Sequence, residues 1–213
     1  MKNEALRRRG VRAIVFASAL VASAACQSKN ERLVGEWQEG CSAGDLDKCA
    51  SLGEAYAKGI GTPENSARAA TTYRDACSRG GVRACMLLGE AYAVGSGVSK
   101  DSVQASTYLG KACDEGEEDA CVRACDLLGD PVRCLRVGVL SSKGAKDLQR
   151  AASFFRKACE HGHPLGCREI ATMYRDGVGV PKDANRAGEL FKRADQLLRM
   201  ACGGASKPEY CDM

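Results

Sequence analysis

The cysteines constrain the fold of this chain more than any other residues. The chain has 13 cysteines in 213 residues, and twelve of them form six close pairs with seven or eight residues between the two members. Zinc-binding pairs are typically separated by about two to four residues, so this spacing favours disulfide bonds over a series of zinc sites. No pair has the Cys-x-x-Cys spacing of thiol oxidoreductases. The predicted pairs are Cys41 with Cys49, Cys77 with Cys85, Cys113 with Cys121, Cys125 with Cys134, Cys159 with Cys167, and Cys202 with Cys211.

The N-terminal segment has the features of an export signal. Five basic residues precede an apolar run at positions 13–25, which is the order of regions in a secretory signal peptide. A transmembrane helix needs about 20 apolar residues, and this run is shorter. Export also agrees with the cysteines, since disulfide bonds persist in oxidising compartments such as the periplasm or the cell exterior. We therefore predict that residues 1–25 are a signal peptide.

The thirteenth cysteine, Cys26, follows this segment directly. Residues 21–26 read Val-Ala-Ser-Ala-Ala-Cys and resemble the cleavage box of bacterial lipoproteins, with Ser23 at the position where leucine is usual. The resemblance implies that Cys26 is the lipid-carrying N-terminus and that Gln27 permits sorting to the outer membrane. We therefore expect an outer-membrane lipoprotein that faces the periplasm or the cell surface. The alternative is ordinary signal-peptide cleavage without a lipid, which would give a periplasmic or secreted protein with one free thiol.

The charge of the chain argues against nucleic-acid binding. Five of the 31 Lys and Arg residues, but only one of the 27 Asp and Glu residues, lie in the first 26 positions, so the rest of the chain has no net charge. A nucleic-acid-binding domain would be expected to have a surplus of basic residues for phosphate contacts. We therefore expect no nucleic-acid partner.

An internal repeat organises the rest of the chain. Aligned on cysteine, residues 41–76 and 77–112 form two blocks of 36 residues, and a later copy begins at Cys159. A period in this range indicates a solenoid of small supersecondary units. Apolar residues at i, i+3 and i+4, such as Leu52 and Tyr56, predict a first helix in each unit. Gly-x-Gly turns, which tolerate positive φ, then end these helices at residues 59–61, 95–97 and 177–179.

A second helix is predicted after each Gly-x-Gly turn. Its N-terminal caps are predicted at Asn65, Asp101 and Asp183. Its predicted buried stripe consists of Ala67, Ala70, Tyr73 and Ala76 in the first unit, and of Val103, Leu109 and Ala112 in the next, with Phe155 and Ala158 in a later copy.

Each cysteine pair would link the second helix of one unit to the first helix of the next. By the chain-entropy model, a closed loop of this size stabilises the fold by about 2.5 kcal/mol. Such links suit thin helical layers with only 5% aromatic residues, where each unit has little core of its own. The predicted fold class is all-α, a solenoid of disulfide-stapled helical hairpins.

The repeat pattern is similar to a known family. The segments "ACMLLGEAYAVGSGVSKD" and "KACEHGHPLGCREIATMYRDGVGVPKD" closely resemble the cysteine-rich branch of the Sel-one-like repeat family, which is related to tetratricopeptide repeats. The resemblance covers nearly all of residues 41–201. It implies a right-handed α/α superhelix that serves as a binding scaffold. Some secreted cysteine-rich members are described as penicillin-binding proteins or weak β-lactamases, so the resemblance also raises that alternative.

The copies differ in the middle and at the ends of the chain. The spacing from Cys113 to Cys159 is 46 residues, which fits a half-unit followed by a shortened unit whose loop, "SSKGAKD", lacks Gly-x-Gly. Because Cys121 and Cys125 are one helical turn apart, the pairing among Cys113, Cys121, Cys125 and Cys134 stays open.

Trp37 aligns with Tyr73, which predicts a capping helix at residues 33–39. The predicted regions are a signal peptide at 1–25, a linker with a capping helix at 26–40, repeats at 41–201 and a disulfide-linked C-terminal cap at 202–213.

The sequence offers little for catalysis. The two histidines, His161 and His163, lie in the turn between Cys159 and Cys167 and are interpreted as exposed turn residues. No serine has a lysine three residues later, and Lys-Thr-Gly is absent, so the motifs of serine β-lactamases are missing. Two histidines cannot supply a histidine-rich metal site. We expect no catalytic residue, no metal and no cofactor. The sequence therefore favours a protein that is not an enzyme.

Comparison of the first helices suggests a binding face. Three variable positions, four residues apart, form one stripe along these helices: Ala50, Met86, Leu135 and Arg168; Glu54, Glu90, Val139 and Thr172; and Lys58, Val94, Lys143 and Asp176. First helices line the concave surface in tetratricopeptide-type solenoids, so Glu54, Lys58, Glu90, Arg168 and Thr172 are the candidate ligand-binding residues. Solvated positions between core residues would produce the same variation.

Three functions are compatible with these observations. The first is a lipid-anchored periplasmic or cell-surface scaffold that binds a protein, a peptide or a peptidoglycan-like cell-wall ligand. The second is a β-lactam-binding or β-lactam-hydrolysing protein with the same fold. The third is a secreted effector or signalling protein without an anchor. In each case we expect a monomer, and we expect contact with the membrane only where an N-terminal lipid is present.

Overall fold

The computed structural model describes residues 29–145, 147–203 and 211. The predicted signal peptide and Cys26 lie outside the described residues. Within these ranges the chain forms ten α-helices and no strand, so the all-α prediction is confirmed. The helices are α1 (29–42), α2 (Leu46–Lys58), α3 (Ser66–Ser78), α4 (Val82–Val94), α5 (Ser102–Asp114), α6 (Glu118–Leu128), α7 (Pro131–Ser142), α8 (Leu148–Glu160), α9 (Pro164–Asp176) and α10 (Ala184–Cys202), with a 3₁₀ turn at Lys143–Ala145.

The chain divides into two compact units. Unit 1 comprises the residues up to Ala84 together with Ser96–Val98, and unit 2 comprises Cys85–Gly95 and the residues from Ser99 onward. Unit 1 therefore contains α1, α2 and α3, and unit 2 contains α5 to α10. The boundary falls within α4.

Polar caps begin the second helix of each hairpin. The Asn65 side chain accepts a hydrogen bond from the Arg68 N–H at 2.9 Å, and the Asp101 carboxylate accepts one from the Val103 N–H at 2.9 Å. Asp147 and Asp183 cap α8 and α10 in the same way. A capping side chain satisfies a backbone donor that the first helical turn leaves without a partner. The three predicted caps are confirmed, and Asp147 is a fourth.

A glycine in the first helix lets the two helices of a hairpin pack closely. A Cβ at Gly89 would lie 2.7 Å from Leu109 Cγ, and a Cβ at Gly138 would lie 2.5 Å from Phe155 Cδ1. Gly53 faces the ring of Tyr73 in the same way. The large side chain of the second helix thus occupies the space that a side chain on the first helix would need. This packing explains why a glycine, which costs about 1 kcal/mol relative to alanine in a helix, recurs at this position.

The second glycine of each Gly-x-Gly turn contacts an earlier helix. In unit 2, a Cβ at Gly179 would lie 2.5 Å from the carbonyl oxygen of Leu148, the first residue of α8. In unit 1, Gly97 faces Ser66 at the start of α3, and Gly61 faces Asn30 near the start of the described part of α1. Asn30 and Ser66 are one 36-residue repeat apart. The helix α1 therefore occupies the position of a second helix and is longer than the predicted capping helix at 33–39.

The predicted buried stripe of the second helices was partly wrong. Ala67 is exposed, and the Val103 side chain is 73% exposed. The core-facing residues of α3 are instead Ala69, Ala70, Tyr73, Ala76 and Cys77. An α-helix turns by about 100° per residue, so a residue six positions before Tyr73 lies about 120° away from it around the helix axis. The same offset separates Val103 from the buried Leu109.

Candidate functional site

The helix α6 carries two buried cysteines that bond in opposite directions along the chain. Cys121 bonds to Cys113 on α5, and Cys125 bonds to Cys134 on α7. Both cysteines lie on α6, one helical turn apart, so disulfide bonds link α6 to both α5 and α7. The helix α6 therefore acts as a first helix toward α5 and as a second helix toward α7. This is the half-unit that the 46-residue spacing indicates, and the structure resolves the pairing that the sequence left open.

The other cysteines follow the predicted pattern of links. Cys41 bonds to Cys49, Cys159 to Cys167, and Cys202 to Cys211. Cys77 and Cys85 are disulfide-bonded as well. In the hairpins at 41–49, 113–121 and 159–167 the bond closes the turn between consecutive helices, so the disulfide-stapled fold is confirmed.

A groove opens in unit 2 where α6 interrupts the regular alternation of helices. It has a volume of about 830 Å³ and lies between α5 and the connection from α6 to α7. On the α5 side it is lined by Ser102, Val103, Ser106, Thr107, Gly110, Lys111 and Asp114, and on the other side by Leu128, Gly129, Asp130, Pro131 and Arg133.

An arginine–aspartate cluster forms one end of the groove. The Arg133 guanidinium donates to Asp114 Oδ2 at 2.9 Å, and the Arg136 guanidinium donates to Asp114 Oδ1 at 3.1 Å. A Cβ at Gly110 would lie 3.0 Å from Arg133 Nη2, so this glycine makes room for the guanidinium beside α5. Arg133 Nε is buried and has no hydrogen-bond partner among the described residues. The guanidinium has five N–H donors, so donors other than this buried Nε and the one that bonds to Asp114 remain for a ligand at this end of the groove.

The rest of the groove offers hydroxyl groups and apolar surface. Ser106 is half-buried, Ser102 and Thr107 are exposed, and Val103 lies among them on α5. Leu128 and Pro131 face these residues from the other wall. Such a mixture suits recognition of a flexible ligand through hydrogen bonds and apolar contacts.

Two of the predicted binding residues, Glu54 and Glu90, form ion pairs between one first helix and the next. In unit 1, the Glu54 carboxylate lies 2.6 Å from Arg83 on α4 and 3.2 Å from Lys58 on α2. In unit 2, Glu90 pairs with Arg123 on α6. Charge reversal at either glutamate would place like charges together between helices, so its effect on stability would not be separable from an effect on binding.

The remaining stripe residues are partly buried and partly exposed. Ala50 and Met86 are buried, which removes them from any ligand-binding face. On α9, Arg168 is exposed and Thr172 is half-buried, one turn apart. The Asp176 carboxylate accepts a hydrogen bond from Arg175 Nε at 2.8 Å, and this hydrogen bond lowers the pKa of Asp176.

The two histidines have different environments. His161 is exposed, and its ring lies so close to Gly129 that a Cβ there would be 2.6 Å from the His161 Cε1 atom. His163, however, is only 5% exposed at the start of α9, so its interpretation as an exposed turn residue was wrong. Burial lowers the pKa of His163, and the Asp130 carboxylate partly offsets this effect. The chain reversal between α8 and α9 brings both histidines to the connection between α6 and α7.

The sequence profile of the Sel1 repeat, the family called Sel-one-like above, matches residues 49–80, 82–117, 123–163 and 164–194. These matches cover more than half of the chain. The chain belongs to the Sel1 repeat family. The third match contains the C-terminal part of α6 together with α7 and α8, and residues 118–122 of α6 lie between the second and third matches.

Three solved structures resemble this Sel1 repeat protein. A protective antigen of uropathogenic Escherichia coli strains with an SLR fold is 23% identical, with 84% of this chain and 38% of the antigen covered and a TM-score of 0.42. A Sel1 repeat protein from Oxalobacter formigenes is 21% identical, with 84% and 94% covered and a TM-score of 0.41. Helicobacter pylori cysteine-rich protein B is 25% identical, with 63% and 89% covered and a TM-score of 0.30. This chain thus spans 38% of the length of the first of these proteins. No curated protein matches the sequence.

The described ranges contain no cluster of three or more potential metal-binding residues. Their helices include none with the length and apolar character needed to cross a membrane.

The groove was not predicted from the sequence. The available signals were the 46-residue spacing from Cys113 to Cys159 and the loss of Gly-x-Gly in the loop before α8. In the structure, Gly144 in this loop has a positive φ of 69°, but a Cβ there would meet nothing within 4 Å. The close backbone contact that the other turns form is therefore absent at this loop.

Proposed function

We propose that this Sel1 repeat protein is an extracytoplasmic scaffold that binds a peptide segment of a partner protein in the groove between α5 and the α6–α7 connection. The observation that carries the proposal is the groove of about 830 Å³, which lies where the half-unit interrupts the repeat. This volume falls within the range of about 300–1,000 Å³ that is usual for ligand sites. Helical repeat arrays commonly use such surfaces for binding.

The lining of the groove supports a peptide ligand. Hydroxyl groups on α5 can exchange hydrogen bonds with a peptide backbone, and Val103 and Pro131 offer apolar contacts to its side chains. The Arg133 guanidinium in the lining can donate to a carbonyl or carboxylate oxygen of the peptide. Hydroxyl, apolar and arginine side chains of this kind support recognition of a peptide.

The location of the protein is part of the proposal. The disulfide bonds indicate an extracytoplasmic location. We further propose that a lipid on Cys26 holds the protein at the outer membrane as a monomer. Intact-mass measurement of protein from the membrane fraction tests the lipid, since an acylated chain beginning at Cys26 is expected. A chain without added acyl mass would contradict it.

Site-specific photo-crosslinking can identify the partner. A photoreactive amino acid at Val103, inside the groove, is compared with the same residue at Val94, which is 64% exposed and does not line the groove. A protein or cell-wall peptide captured from position 103 and not from 94 gives the candidate ligand. A synthetic peptide from the crosslinked region is then titrated against the purified protein.

Two matched variants decide whether the groove binds that peptide. Ser106→Arg fills the groove, and Ser153→Arg places the same side chain at a half-buried serine of α8 outside it. We expect Ser106→Arg to abolish binding and Ser153→Arg to preserve it, with both proteins helical by circular dichroism. Equal affinity of the Ser106→Arg variant and the original protein would exclude the groove as the site.

A further inference from the structure

A second, smaller pocket lies in unit 2 where α8, α9 and α10 meet. Its volume is about 160 Å³, which is enough for several water molecules or one small ion. Ile170 and Tyr174 of α9 and Cys159 of α8 are buried residues of its wall, and Leu190 adds apolar surface from α10. These residues give the pocket one buried wall, beside which electrostatic interactions are less screened than in bulk water.

Three arginines line this pocket as well. They are Arg156 of α8 and Arg186 and Arg193 of α10. Arg186 and Arg193 are separated by two turns, with Leu190 between them on the same face of α10. The arginines thus approach the pocket from two helices that are joined through α9.

The guanidinium groups of these arginines have unused hydrogen-bonding capacity. Within residues 29–145, 147–203 and 211, none of the three forms an ion pair with a carboxylate. Arg156 Nε is buried and has no hydrogen-bond partner in the same ranges. Arg193 Nη2 donates to the main-chain oxygen of Glu160 at 3.3 Å, and the Arg186 guanidinium lies 4.7 Å from the centre of the Tyr174 ring. A guanidinium has five N–H donors, so donors of each arginine remain for a ligand.

The balance of charge in the pocket specifies the ligand. Three arginines face one acidic residue, Glu160, which leaves a local excess of two positive charges. A phosphate group carries a charge of about −1.5 to −2 at pH 7, and guanidinium groups match its oxygens with paired hydrogen bonds. We propose that this pocket binds a dianionic phosphate group, either as free phosphate or as a small phosphate ester. The site is independent of the peptide groove between α5 and α7.

Calorimetric titration of the oxidised full-length protein with inorganic phosphate tests the proposal. Chloride is used to keep the ionic strength constant, and acetate provides a monoanionic comparison. We expect saturable binding of one phosphate per chain and much weaker binding of acetate. Tighter binding of glycerol 3-phosphate than of phosphate would identify an ester as the ligand, and the reverse would identify free phosphate. No saturable phosphate binding, or equal affinity for acetate, would overturn the proposal.

Charge-matched variants locate the phosphate on the protein. Arg193→Gln and Arg156→Gln each remove one guanidinium, and each is expected to weaken phosphate binding by about tenfold or more, as for the loss of a charged hydrogen bond. Lys192→Gln removes the same charge from an exposed neighbour on α10 that does not line the pocket, and it should leave the affinity within about twofold. Arg193 is exposed, so its exchange tests binding even if Arg156→Gln impairs folding. Equal effects of Arg193→Gln and Lys192→Gln would show that phosphate responds only to overall charge.

Discussion

The close contact of the Gly-x-Gly turn with an earlier helix can be tested at Gly179. Gly179 and Gly144 both have a φ of 69°, so an alanine at either position has the same unfavourable backbone conformation. Their surroundings differ, because a Cβ at Gly179 would lie 2.5 Å from Leu148 O whereas a Cβ at Gly144 would meet nothing within 4 Å. Gly144→Ala is therefore the matched control for Gly179→Ala.

The expected difference follows from adding the separate effects. The left-handed conformation costs an alanine about 1–2 kcal/mol, and the lower entropy of the unfolded alanine chain offsets about 0.4–1 kcal/mol of this. Gly144→Ala should thus destabilise by about 0–1.5 kcal/mol. Gly179→Ala must also displace the backbone at the start of α8, and overpacking of this kind costs a further ~1–3 kcal/mol. The free energy of unfolding should therefore differ by about 1–3 kcal/mol between the two variants.

Urea unfolding followed by far-ultraviolet circular dichroism measures this difference with the disulfides intact. The slopes of the transitions are compared first, since the midpoints report stability directly only when the slopes agree. Gly179→Ala should unfold at clearly lower urea concentration than Gly144→Ala. If the two variants differ by less than about 0.5 kcal/mol, the backbone contact between the turn and α8 does not constrain residue 179, and the explanation of the second glycine is wrong.

Two further predictions concern the links and the buried histidine of unit 2. Replacing both Cys125 and Cys134 by serine opens a loop with a sequence separation of nine and should lower the free energy of unfolding by about 2.5 kcal/mol; unchanged stability in urea would show that the bond between α6 and α7 is not stabilising. His163 has a pKa below its ordinary value of 6.5 because it is buried, so the folded state favours the neutral ring, and the resulting stability is fully present above pH 6.5 and decreases as the pH falls toward the pKa of the folded state. His163→Gln should remove this decrease in thermal melts at a series of pH values and His161→Gln should not; a His163→Gln protein with the original pH dependence would assign the effect to other groups.

Local features of the helices could be predicted from short stretches of sequence. The caps Asn65, Asp101 and Asp183 accept hydrogen bonds from residues two or three positions later, so a window of a few residues contains both partners. The cysteine pairs Cys41/Cys49 and Cys159/Cys167 close single turns between consecutive helices. Interactions over such short separations depend little on the rest of the fold.

The candidate site could be predicted only in part. Pattern comparison singled out Glu54 and Glu90 because they lie at variable positions, but both form ion pairs with arginines 29 and 33 positions later. Variation among repeats does not separate a ligand contact from a contact between helices, since both involve partly exposed polar residues. The groove depends on the placement of α5 against the start of α7, which spacing alone does not specify.

The amino-acid sequence by itself determined the helical repeat, the ends of the helices and the disulfide-linked hairpins, because periodicity, capping and turn formation act between residues close together in the chain. The tertiary structure decided which neighbours Cys121 and Cys125 bond to, how deeply His163 is buried, and where Arg156 meets Arg186 and Arg193. These features join helices that lie up to several tens of residues apart. Their geometry is set by packing between helices, which depends on the combined shape of many side chains and on the half-unit that shifts the register of the repeat.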